Sequence, residues 1–438
     1  MFTALEAEQL IFTLVTPIDA EDPAASETID ISLARQSVEC LGRILSAPVC
    51  SALDFPHWDN SAMDGYAVRA ADVQQVPTTL DVIEEIPAGQ PPQKSIDSGQ
   101  AARILTGAMM PTGADTVVMQ ENTTRDIACD TALDRMPNAN RVTILKSPQP
   151  RSFVRHQGHF YQSGNELLPV GQVVSPAEIA LLAAAQQTQV NVYRRVRVAI
   201  LSTGNELRLP VQALNPGQIV DSNQYALCAL VAQANAIPIP LGIVSDDRAA
   251  VKAAITQALT QADIVLSTGG VSVGDYDYVD DVLSELGATL HIRSVAVKPG
   301  KPLTVASFDR GQTSLQAAKF LSQQPLYFGL PGNPASAMVG FWRFVAPAIA
   351  KLSGQPGPWS PNFVWATAKS DLRAGGQRET YLWGQLNSDE GGFSFTNAAG
   401  SHSSGNLVNL VSTSGLGVVP QGETLIKAGQ SVRVLKIR

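Results

Sequence analysis

The sequence predicts a multidomain protein of the α/β plus β class, built around an α/β domain with a mostly parallel sheet. The chain has 438 residues, which is too many for one ordinary core, so two to four domains are expected. Between Val192 and Gly357, apolar β-type runs alternate with helix-like segments, and this alternation is typical of βαβ units. Outside that region, short β-type pieces lie among many Gly, Pro and Ser residues, which indicates smaller β domains.

The N-terminal fifty residues predict helices from Ala4 to Val15 and from Ile31 to Leu45, because apolar positions recur there at helical spacing. From Ser51 to about His156, the β-like pieces TLDVIEEI, ADTVVMQ and RVTIL are separated by turns such as PAGQPP. This pattern predicts a small β domain inserted into the helical one. A further helix is predicted over SPAEIALLAAA, with Ser175 as its N-cap.

The central region carries the apolar runs RVRVAIL, ADIVLS and PLYFGL, each followed by a Gly-rich turn and a helix-like segment. The stretches Gln224–Ala236 and Ala249–Gln261 have helical character. We therefore expect a parallel sheet covered by helices on both faces. The tail from Pro358 to Arg438 returns to short strands and is predicted to form a compact β barrel.

Composition excludes several functional classes. Hydrophobic residues make up 45% and charged residues 16% of the chain, which suits a folded globular protein. The net charge is -8 and no long basic run is present, so a nucleic-acid surface is not expected. An anionic substrate must therefore be held by local groups against the overall field.

The compartment follows from the cysteines and the N-terminus. Cys40, Cys50, Cys129 and Cys228 form no CxxC pair, as expected of reduced thiols in a cytoplasmic protein. The segment MFTALEAEQL carries acids and no basic stretch, so it is not read as a secretory signal. The run Ala180–Ala185 is too short to span a membrane.

The candidate site lies where the strands of the parallel sheet end. Ligands of such sheets bind at the carboxyl ends of the strands. Four unusual loops follow strand-like runs: Ser202–Glu206, Thr268–Asp277, Lys298–Pro302 and Pro331–Pro334. Their glycines allow a backbone to approach an oxyanion closely, and Lys298 and Lys301 add two cations between prolines.

Carboxylates accompany these loops. Glu206, Asp246, Asp247, Asp275 and Asp277 could hold Mg²⁺ that bridges to phosphate oxygens, or could accept bonds from the N–H groups of a heterocycle. Each feature alone has an ordinary explanation: a glycine turn, a solvated lysine, or acids that begin a helix. Four such loops at the strand ends of one sheet favour an anion site.

Five motifs together carry a resemblance to a known family. They are Asp59–Ala67 (DNSAMDGYA), STGNEL, STGGVSVGDYDY, VKPGKP and GLPGNP. The chain resembles the molybdopterin molybdenumtransferase family, the bacterial MoeA type that is related to the E domain of gephyrin. The resemblance implies four domains: an elongated helical domain (1–50 and 157–190), an inserted β domain (51–156), a molybdopterin-binding α/β domain (191–357) and a C-terminal β barrel (358–438). It also implies a homodimer whose cleft lies between the α/β domain of one subunit and the first two domains of the other.

The family takes adenylylated molybdopterin, binds molybdate, cleaves the pyrophosphate and releases AMP with the metallated cofactor. The resemblance therefore implies a Mg²⁺-dependent transferase. It also allows the molybdopterin adenylyltransferase as a partner, and it implies no nucleic acid and no membrane.

Matching motifs transfer roles to residues of this chain. The implied catalytic residues are Asp64, Thr106, Glu206 and Asp277, and the implied metal ligands are Asp246 and Asp277. The implied contacts to pterin, nucleotide, phosphate or molybdate are Thr203, Gly204, Gly269, Gly270, Ser272, Gly274, Lys298, Lys301, Pro331, Pro334, Ser336, Arg378 and Ser401. These residue types suit two oxyanions, since lysine, arginine, hydroxyls and Mg²⁺ are the groups that bind them.

Three positions depart from the family pattern. Phe160 stands where the family often has an acid, Asn205 replaces an acid that can precede Glu206, and Arg293 replaces a lysine. Because of Phe160, a pterin-binding paralogue with impaired activity stays open as an alternative. A scaffold protein like the related gephyrin domain is another, and an adenylyl transferase that shares the α/β domain is a third. The intact lysine loops and the DNSAMDGYA block favour the molybdenumtransferase.

Overall fold

The computed structural model describes residues 1–18, 25–127, 140–270, 279–309 and 325–437. The chain forms two compact units. The first comprises Met1–Ala47, Val170–Ala180 and Thr188–Arg438, and the second comprises Pro48–Pro169 and Leu181–Gln187. The predicted division into four domains stays a prediction. Within the described ranges, no helix is both long enough and apolar enough to cross a bilayer.

The helices are α1 Ala4–Leu14, α2 Ala34–Ser37, α3 Pro176–Ala184, α4 Asn223–Gln233, α5 Arg248–Gln261, α6 Val279–Glu285, α7 Pro334–Gly340 and α8 Ala346–Leu352. Up to residue 193 the strands are β1 Ser26–Asp30, β2 Val49–Cys50, β3 Asn60–Ser61, β4 Gly65–Val68, β5 Thr78–Ile86, β6 Gln100–Ile104, β7 Thr116–Met119, β8 Thr123–Ile127, β9 Asn140–Ile144, β10 Val154–Arg155, β11 Glu166–Leu168 and β12 Gln189–Tyr193.

The central strands are β13 Arg197–Thr203, β14 Leu207–Arg208, β15 Ile219–Val220, β16 Ile237–Val244, β17 Ile264–Thr268, β18 Thr289–Ser294, β19 Val297–Lys298, β20 Pro302–Ser307 and β21 Leu326–Leu330. The last strands are β22 Phe363–Ala368, β23 Leu372–Arg373, β24 Glu379–Asp389, β25 Gly392–Asn397, β26 Gly415–Val419, β27 Leu425–Ile426 and β28 Ser431–Lys436.

The first predicted helix is confirmed as α1. A capping box begins it: the Glu6 backbone N–H donates to Thr3 Oγ1 at 3.2 Å, and the Thr3 N–H donates to the Glu6 carboxylate at 2.8 Å. Such a box satisfies two N–H groups that the helix itself leaves unpaired. Ala4, Ala7 and Ile11 are buried on one face of the helix, in agreement with the apolar spacing of the sequence.

The helix predicted from Ile31 to Leu45 is wrong. The structure has only α2, followed by a single 3-10 turn over Val38–Cys40. Gly42 then takes a φ of +73°, a left-handed conformation that ends helices. Beyond it, Ile44 and Leu45 form β-bridges to Val173 and Val192. Their backbones thus pair as isolated β-bridges while their apolar side chains are buried, and a short periodic segment does not distinguish this arrangement from a helix.

The second unit contains the predicted inserted β structure. Its main sheet has the order β7-β4-β6-β5-β9-β8, and the three β-like pieces of the sequence correspond to β5, β7 and β9. One face buries a cluster that includes Tyr66, Val118 and Val142, and the other buries Ala67 and Ile104. The DNSAMDGYA block runs through β3 and β4, and the intervening turn presents Asp64.

The first unit contains the predicted mostly parallel sheet, in the order β16-β13-β17-β21-β20-β18. The first four strands are parallel, and β20 is antiparallel to both β21 and β18. The predicted helices α4 and α5 are confirmed. Leu227 and Val231 of α4 join one apolar cluster, and Ile255 and Leu259 of α5 join another. Since β18 again runs parallel to β21, its carboxyl end lies at the same edge as those of the parallel strands.

The predicted C-terminal barrel is confirmed. Strands pair in the order β24-β25-β22-β28-β26, and β26 pairs back with β24 to close it. The barrel interior buries Phe395, Leu382 and Val434. The short strand β19 does not join the parallel sheet: Val297 and Lys298 pair with Glu379 and Thr380 of the barrel strand β24. This pairing sets the VKPGKP loop directly against the barrel.

Candidate functional site

The carboxyl edge of the α/β sheet brings together the loops that the sequence predicted. The loop after β13 is tied to the loop after β16 by two reciprocal hydrogen bonds. The Asn205 N–H donates to Asp246 Oδ2 at 3.0 Å, and the Asp246 N–H donates to Asn205 Oδ1 at 3.2 Å. Asn205, a departure from the family pattern, therefore fixes the position of Asp246.

The glycines of these loops permit close approach of the backbone. Gly269 has a φ of +85°, and a Cβ there would lie 2.4 Å from the Thr203 carbonyl oxygen. Only glycine fits that position without displacing a strand end. Similarly, a Cβ on Gly204 would lie 2.7 Å from the Glu206 carboxylate. Glu206 thus folds back over its own loop, and its side chain is exposed.

The remaining loops join the same site. A Cβ on Gly332 would lie 3.7 Å from Gly269 Cα, and one on Gly300 would lie 3.6 Å from the Ser336 carbonyl oxygen. The Ala335 N–H donates to the Ser404 carbonyl at 2.9 Å. The loops after β17, β19 and β21 therefore meet one another, and the Ser401–Ser404 segment of the tail meets the loop after β21. Ser336 is buried, at 3% exposure, whereas Ser401 is exposed.

Three cations border this site without an acidic partner. Lys298 and Lys301 are exposed, and neither they nor Arg378 form an ion pair with any carboxylate in the part of the chain that the structure describes. Arg378 donates from Nη1 to the Val297 carbonyl at 3.3 Å, so it lies beside the strand that carries Lys298. Unpaired cations at the rim of a glycine-rich cradle suit an oxyanion.

A cleft of about 280 Å³ opens beside Lys298 and was not predicted from the sequence. Its lining includes Asp371, Arg373, Asn397 and His402, and Arg373 pairs with Asp371 at 3.2 Å. Asn397 Oδ1 and His402 Nδ1 are buried and have no hydrogen-bond partner among the described residues, which is uncommon for buried polar atoms. Burial lowers the pKa of His402, which keeps the ring neutral at pH 7. The sequence signal was weak, because only the fold brings these residues to Lys298.

Asp221 and Asn223 were also missed. Asp221 is 3% exposed and accepts a hydrogen bond from the Gln224 N–H at 3.2 Å. Asn223 donates from Nδ2 to the Gly332 carbonyl at 2.8 Å, and its Oδ1 is buried without a partner among the described residues. In the sequence, these residues form a polar Asp-Ser-Asn segment at the start of an apolar helix, and that pattern is typical of an ordinary helix start.

Several of the predicted residues lie outside the described ranges, and one of the two predicted metal ligands is among them. Ser272, Gly274, Asp275 and Asp277 fall between residues 271 and 278, outside the described residues. In the described ranges, no three His, Cys, Asp or Glu residues cluster as a metal site. Asp246 suits a hard cation such as Mg²⁺, because one carboxylate oxygen is fixed by Asn205 and the side chain is exposed.

In the second unit, the structure brings Asp64 and Thr106 together. Asp64 Oδ1 accepts from the Thr106 backbone N–H and from its hydroxyl, both at 2.7 Å. These two hydrogen bonds lower the pKa of the Asp64 carboxyl, and the bond from the backbone N–H has the larger effect. Both side chains are exposed. The carboxylate is therefore ionised and held in one orientation while open to solvent.

Thr106→Val tests this positioning. The substitution removes the hydroxyl donor but keeps the backbone donor and the side-chain shape, so the pKa of Asp64 is expected to rise toward its ordinary value. Carbon-detected NMR titration of the Asp64 carboxyl measures it. Thr79→Val, on an exposed strand position, is the matched control and should leave that pKa unchanged. An unchanged pKa of Asp64 in Thr106→Val would show that the hydrogen bond from the hydroxyl does not contribute to lowering that pKa.

Phe160 lies on an exposed loop. Its ring is 70% exposed and lies 5.4 Å from the His159 ring. Two other carboxylates fix this loop: Asp54 accepts from the Ser163 N–H at 2.8 Å, and Asp59 accepts from the Gln157 N–H at 2.7 Å. The loop is therefore held in place without an acid at position 160.

The chain is similar to known proteins over nearly its whole length. Three family models match it: the MoeA N-terminal region (domain I and II) over residues 3–185, a probable molybdopterin binding domain over residues 199–351, and the MoeA C-terminal region (domain IV) over residues 366–437. A molybdopterin molybdenumtransferase of a Nostoc species is 52% identical over 436 residues, covering 99% of this chain and 93% of that protein. One from Haemophilus influenzae is 33% identical, with 90% and 91% covered. The crystal structure of a molybdopterin biosynthesis moeA protein from Pyrococcus horikoshii superposes with a TM-score of 0.78 at 25% identity, and all of both chains is covered.

Proposed function

This chain belongs to the MoeA family of molybdopterin molybdenumtransferases, and we propose that it inserts molybdate into adenylylated molybdopterin in the cytoplasm, with release of AMP. The observation that carries the proposal is the meeting of glycine-rich loops with Lys298, Lys301 and Arg378, none of which has a carboxylate partner among the described residues. In a chain of net charge -8, three cations gathered at one site without acidic partners suit an anionic ligand.

The residue types suit the two oxyanions of this reaction. Molybdate and the pyrophosphate of the nucleotide each present several negatively charged oxygens. The two lysines and Arg378 would offset that charge as it moves onto the leaving AMP phosphate. The buried Ser336 and the backbone of the glycine loops would supply neutral donors, and Arg373 and His402 extend the polar lining beside Lys298.

Magnesium belongs to the same proposal. Asp246 would hold Mg²⁺ together with Asp277, which lies outside the described residues. When bound, the ion would neutralise phosphate oxygens and so make AMP a better leaving group. The Asn205–Asp246 pair supports this role, because it orients one carboxylate oxygen from the backbone side. Removal of Mg²⁺ by chelation should abolish AMP release.

The direct experiment supplies purified protein with adenylylated molybdopterin, molybdate and Mg²⁺, and measures AMP. Release of AMP that depends on molybdate and on Mg²⁺ is the expected result. Parallel reactions without molybdate and with a chelator are the controls. Tight pterin binding with no AMP release would instead identify the impaired paralogue that Phe160 leaves open.

We also propose a homodimer in which Asp64 and Glu206 of one cleft come from different subunits. The two residues belong to different compact units of the chain. Exposed apolar side chains support an interface: Leu33 is 60% exposed and Val38 is 63% exposed, on one short segment of the first unit. Burial of these two side chains against a second subunit would remove their apolar surface from water.

Mixed dimers test the composite cleft. Asp64→Ala and Glu206→Ala chains should each be inactive, but a mixed dimer of the two contains one cleft with both wild-type groups. Mixing should therefore restore activity, up to about half of the wild-type value per mixed dimer. The control mixes the Asp64→Ala, Glu206→Ala double variant with Glu206→Ala, since no cleft of that dimer is intact. Mixed dimers that form but stay inactive would refute the arrangement.

The molybdopterin adenylyltransferase is the proposed protein partner. It would supply the adenylylated pterin that this chain consumes, so direct transfer would protect a labile substrate from water. Co-sedimentation of the two purified proteins, with and without the adenylylated pterin, tests this partnership.

A further inference from the structure

A second cavity lies in the first unit and is not part of the cleft described above. Its volume is about 320 Å³, within the lower range of small-molecule sites. Three arginines line it, Arg43, Arg194 and Arg195, together with the polar side chains of Gln233 and Asn235. No carboxylate is among the described residues that line it. In an acidic chain, three arginines around one cavity without an acid are unexpected.

Two of these arginines are already neutralised by partners outside the lining. Arg43 pairs with Glu27. Arg194 forms two hydrogen bonds to the fully buried Asp263 carboxylate, at 2.8 and 2.9 Å. The Arg194–Asp263 pair is structural, because removing Arg194 would leave a buried acid without its cation.

Arg195 is different. Its guanidinium forms no ion pair in the described part of the chain, and its Nε is buried without a hydrogen-bond partner among the described residues. A guanidinium keeps its charge at any working pH, and a buried donor left unpaired is costly. Among the three lining arginines, Arg195 is therefore the one whose charge no described carboxylate offsets.

The position of this cavity separates it from the predicted active cleft. Arg194 and Arg195 precede β13, whereas Thr203, at the other end of that strand, borders the cleft. Seven strand residues span roughly 20 Å at about 3.3 Å per residue. The remaining walls are mostly apolar and include Ile44 and Val173, but they also carry the polar side chains of Ser353 and Gln355.

We propose that this cavity binds a small phosphate-bearing anion, with Arg195 as its principal cation. The planar guanidinium donates to two oxygens of such a group, and the apolar walls would contact an organic substituent. The proposal is independent of the transferase activity, since no residue of the cavity belongs to the cleft.

The first test measures binding of inorganic phosphate and of AMP by calorimetry. Because both would also bind the lysines of the cleft, the protein used is the full chain with Lys298→Ala and Lys301→Ala. Arg195→Gln in that background should weaken phosphate binding about tenfold or more. Arg35→Gln is the matched control, since Arg35 is exposed and the charge change is the same. Tighter binding of AMP than of phosphate would identify an organic phosphate as the ligand, and equal binding would identify the free ion.

Two results would overturn the proposal: no phosphate or AMP binding in the lysine-free background, or equal binding in the Arg195→Gln and Arg35→Gln chains. Thermal unfolding in the absence of ligand shows that Arg195→Gln is folded, which is expected because no acid loses a partner. AMP release by Arg195→Gln with the cleft lysines intact is measured separately. An inactive wild-type enzyme with Arg195-dependent phosphate binding would refute the transferase and leave this site standing.

Discussion

Replacing Lys301 by alanine is expected to lower kcat/KM for molybdate about a hundredfold while pterin binding stays largely intact. The ammonium group has no carboxylate partner among the described residues, and its loop meets Ser336 through Gly300. Its charge is therefore free to act on a bound oxyanion. Because Lys301 is exposed, its loss should not change the unfolding temperature.

Two variants control this experiment. Lys427→Ala removes an equally exposed lysine from a barrel turn and should leave turnover unchanged. Lys301→Arg keeps the charge and should retain most activity. Unchanged molybdate dependence in Lys301→Ala, together with loss of pterin affinity, would assign this lysine to the pterin phosphate instead.

The sequence predicted those parts of the fold in which the local order of apolar and polar residues matches the order of buried and exposed residues. Val198 to Leu201 are all buried because a strand of a covered parallel sheet is apolar on both faces. The loops that follow such strands must meet at one edge, so the sequence predicts that Thr203, Gly269 and Pro331 lie in one site.

The failures come from long-range contacts. The apolar residues from Ile31 to Leu45 suit a helix, but Ile44 and Leu45 pair with strands more than a hundred residues away. Strand β19 looks like a member of the parallel sheet, yet it pairs with the barrel. Because of that pairing, Arg373 and His402 line the cleft beside Lys298. No spacing of residues along the sequence indicates that Arg373 and His402 lie beside Lys298.

The buried pair of Glu8 and Arg343 is another long-range contact that the sequence did not reveal. Glu8 is 6% exposed and Arg343 is 2% exposed, and their side chains form an ion pair between α1 and the turn that joins α7 and α8. Ser360 donates to the same carboxylate at 2.8 Å, and Arg343 Nε donates to the Tyr381 hydroxyl at 2.9 Å. Burial raises the pKa of Tyr381, so its hydroxyl stays protonated and donates to Glu379.

This network connects the N-terminal helix, the α/β domain and the barrel through buried charge. Breaking one partner leaves the other charge in a nonpolar environment, which typically costs about 3–5 kcal/mol. We therefore expect Arg343→Met to lower the free energy of unfolding by about that amount. Chemical denaturation followed by tryptophan fluorescence measures it, because Trp383 is buried in the barrel. The matched control is Lys369→Met, whose exposed pair with Asp389 at 3.5 Å should contribute less than about 1 kcal/mol.

The double variant Glu8→Met, Arg343→Met separates a charge effect from a packing effect. If the cost of Arg343→Met arises from an uncompensated Glu8 carboxylate, replacing that carboxylate as well should recover most of the lost stability, because apolar residues of similar volume substitute well for a buried pair. The double-mutant cycle measures this coupling. A double variant no more stable than Arg343→Met would mean that the arginine acts through its contacts with Tyr381 and the neighbouring Phe344 and Phe363 rings, and that the ion pair itself contributes little.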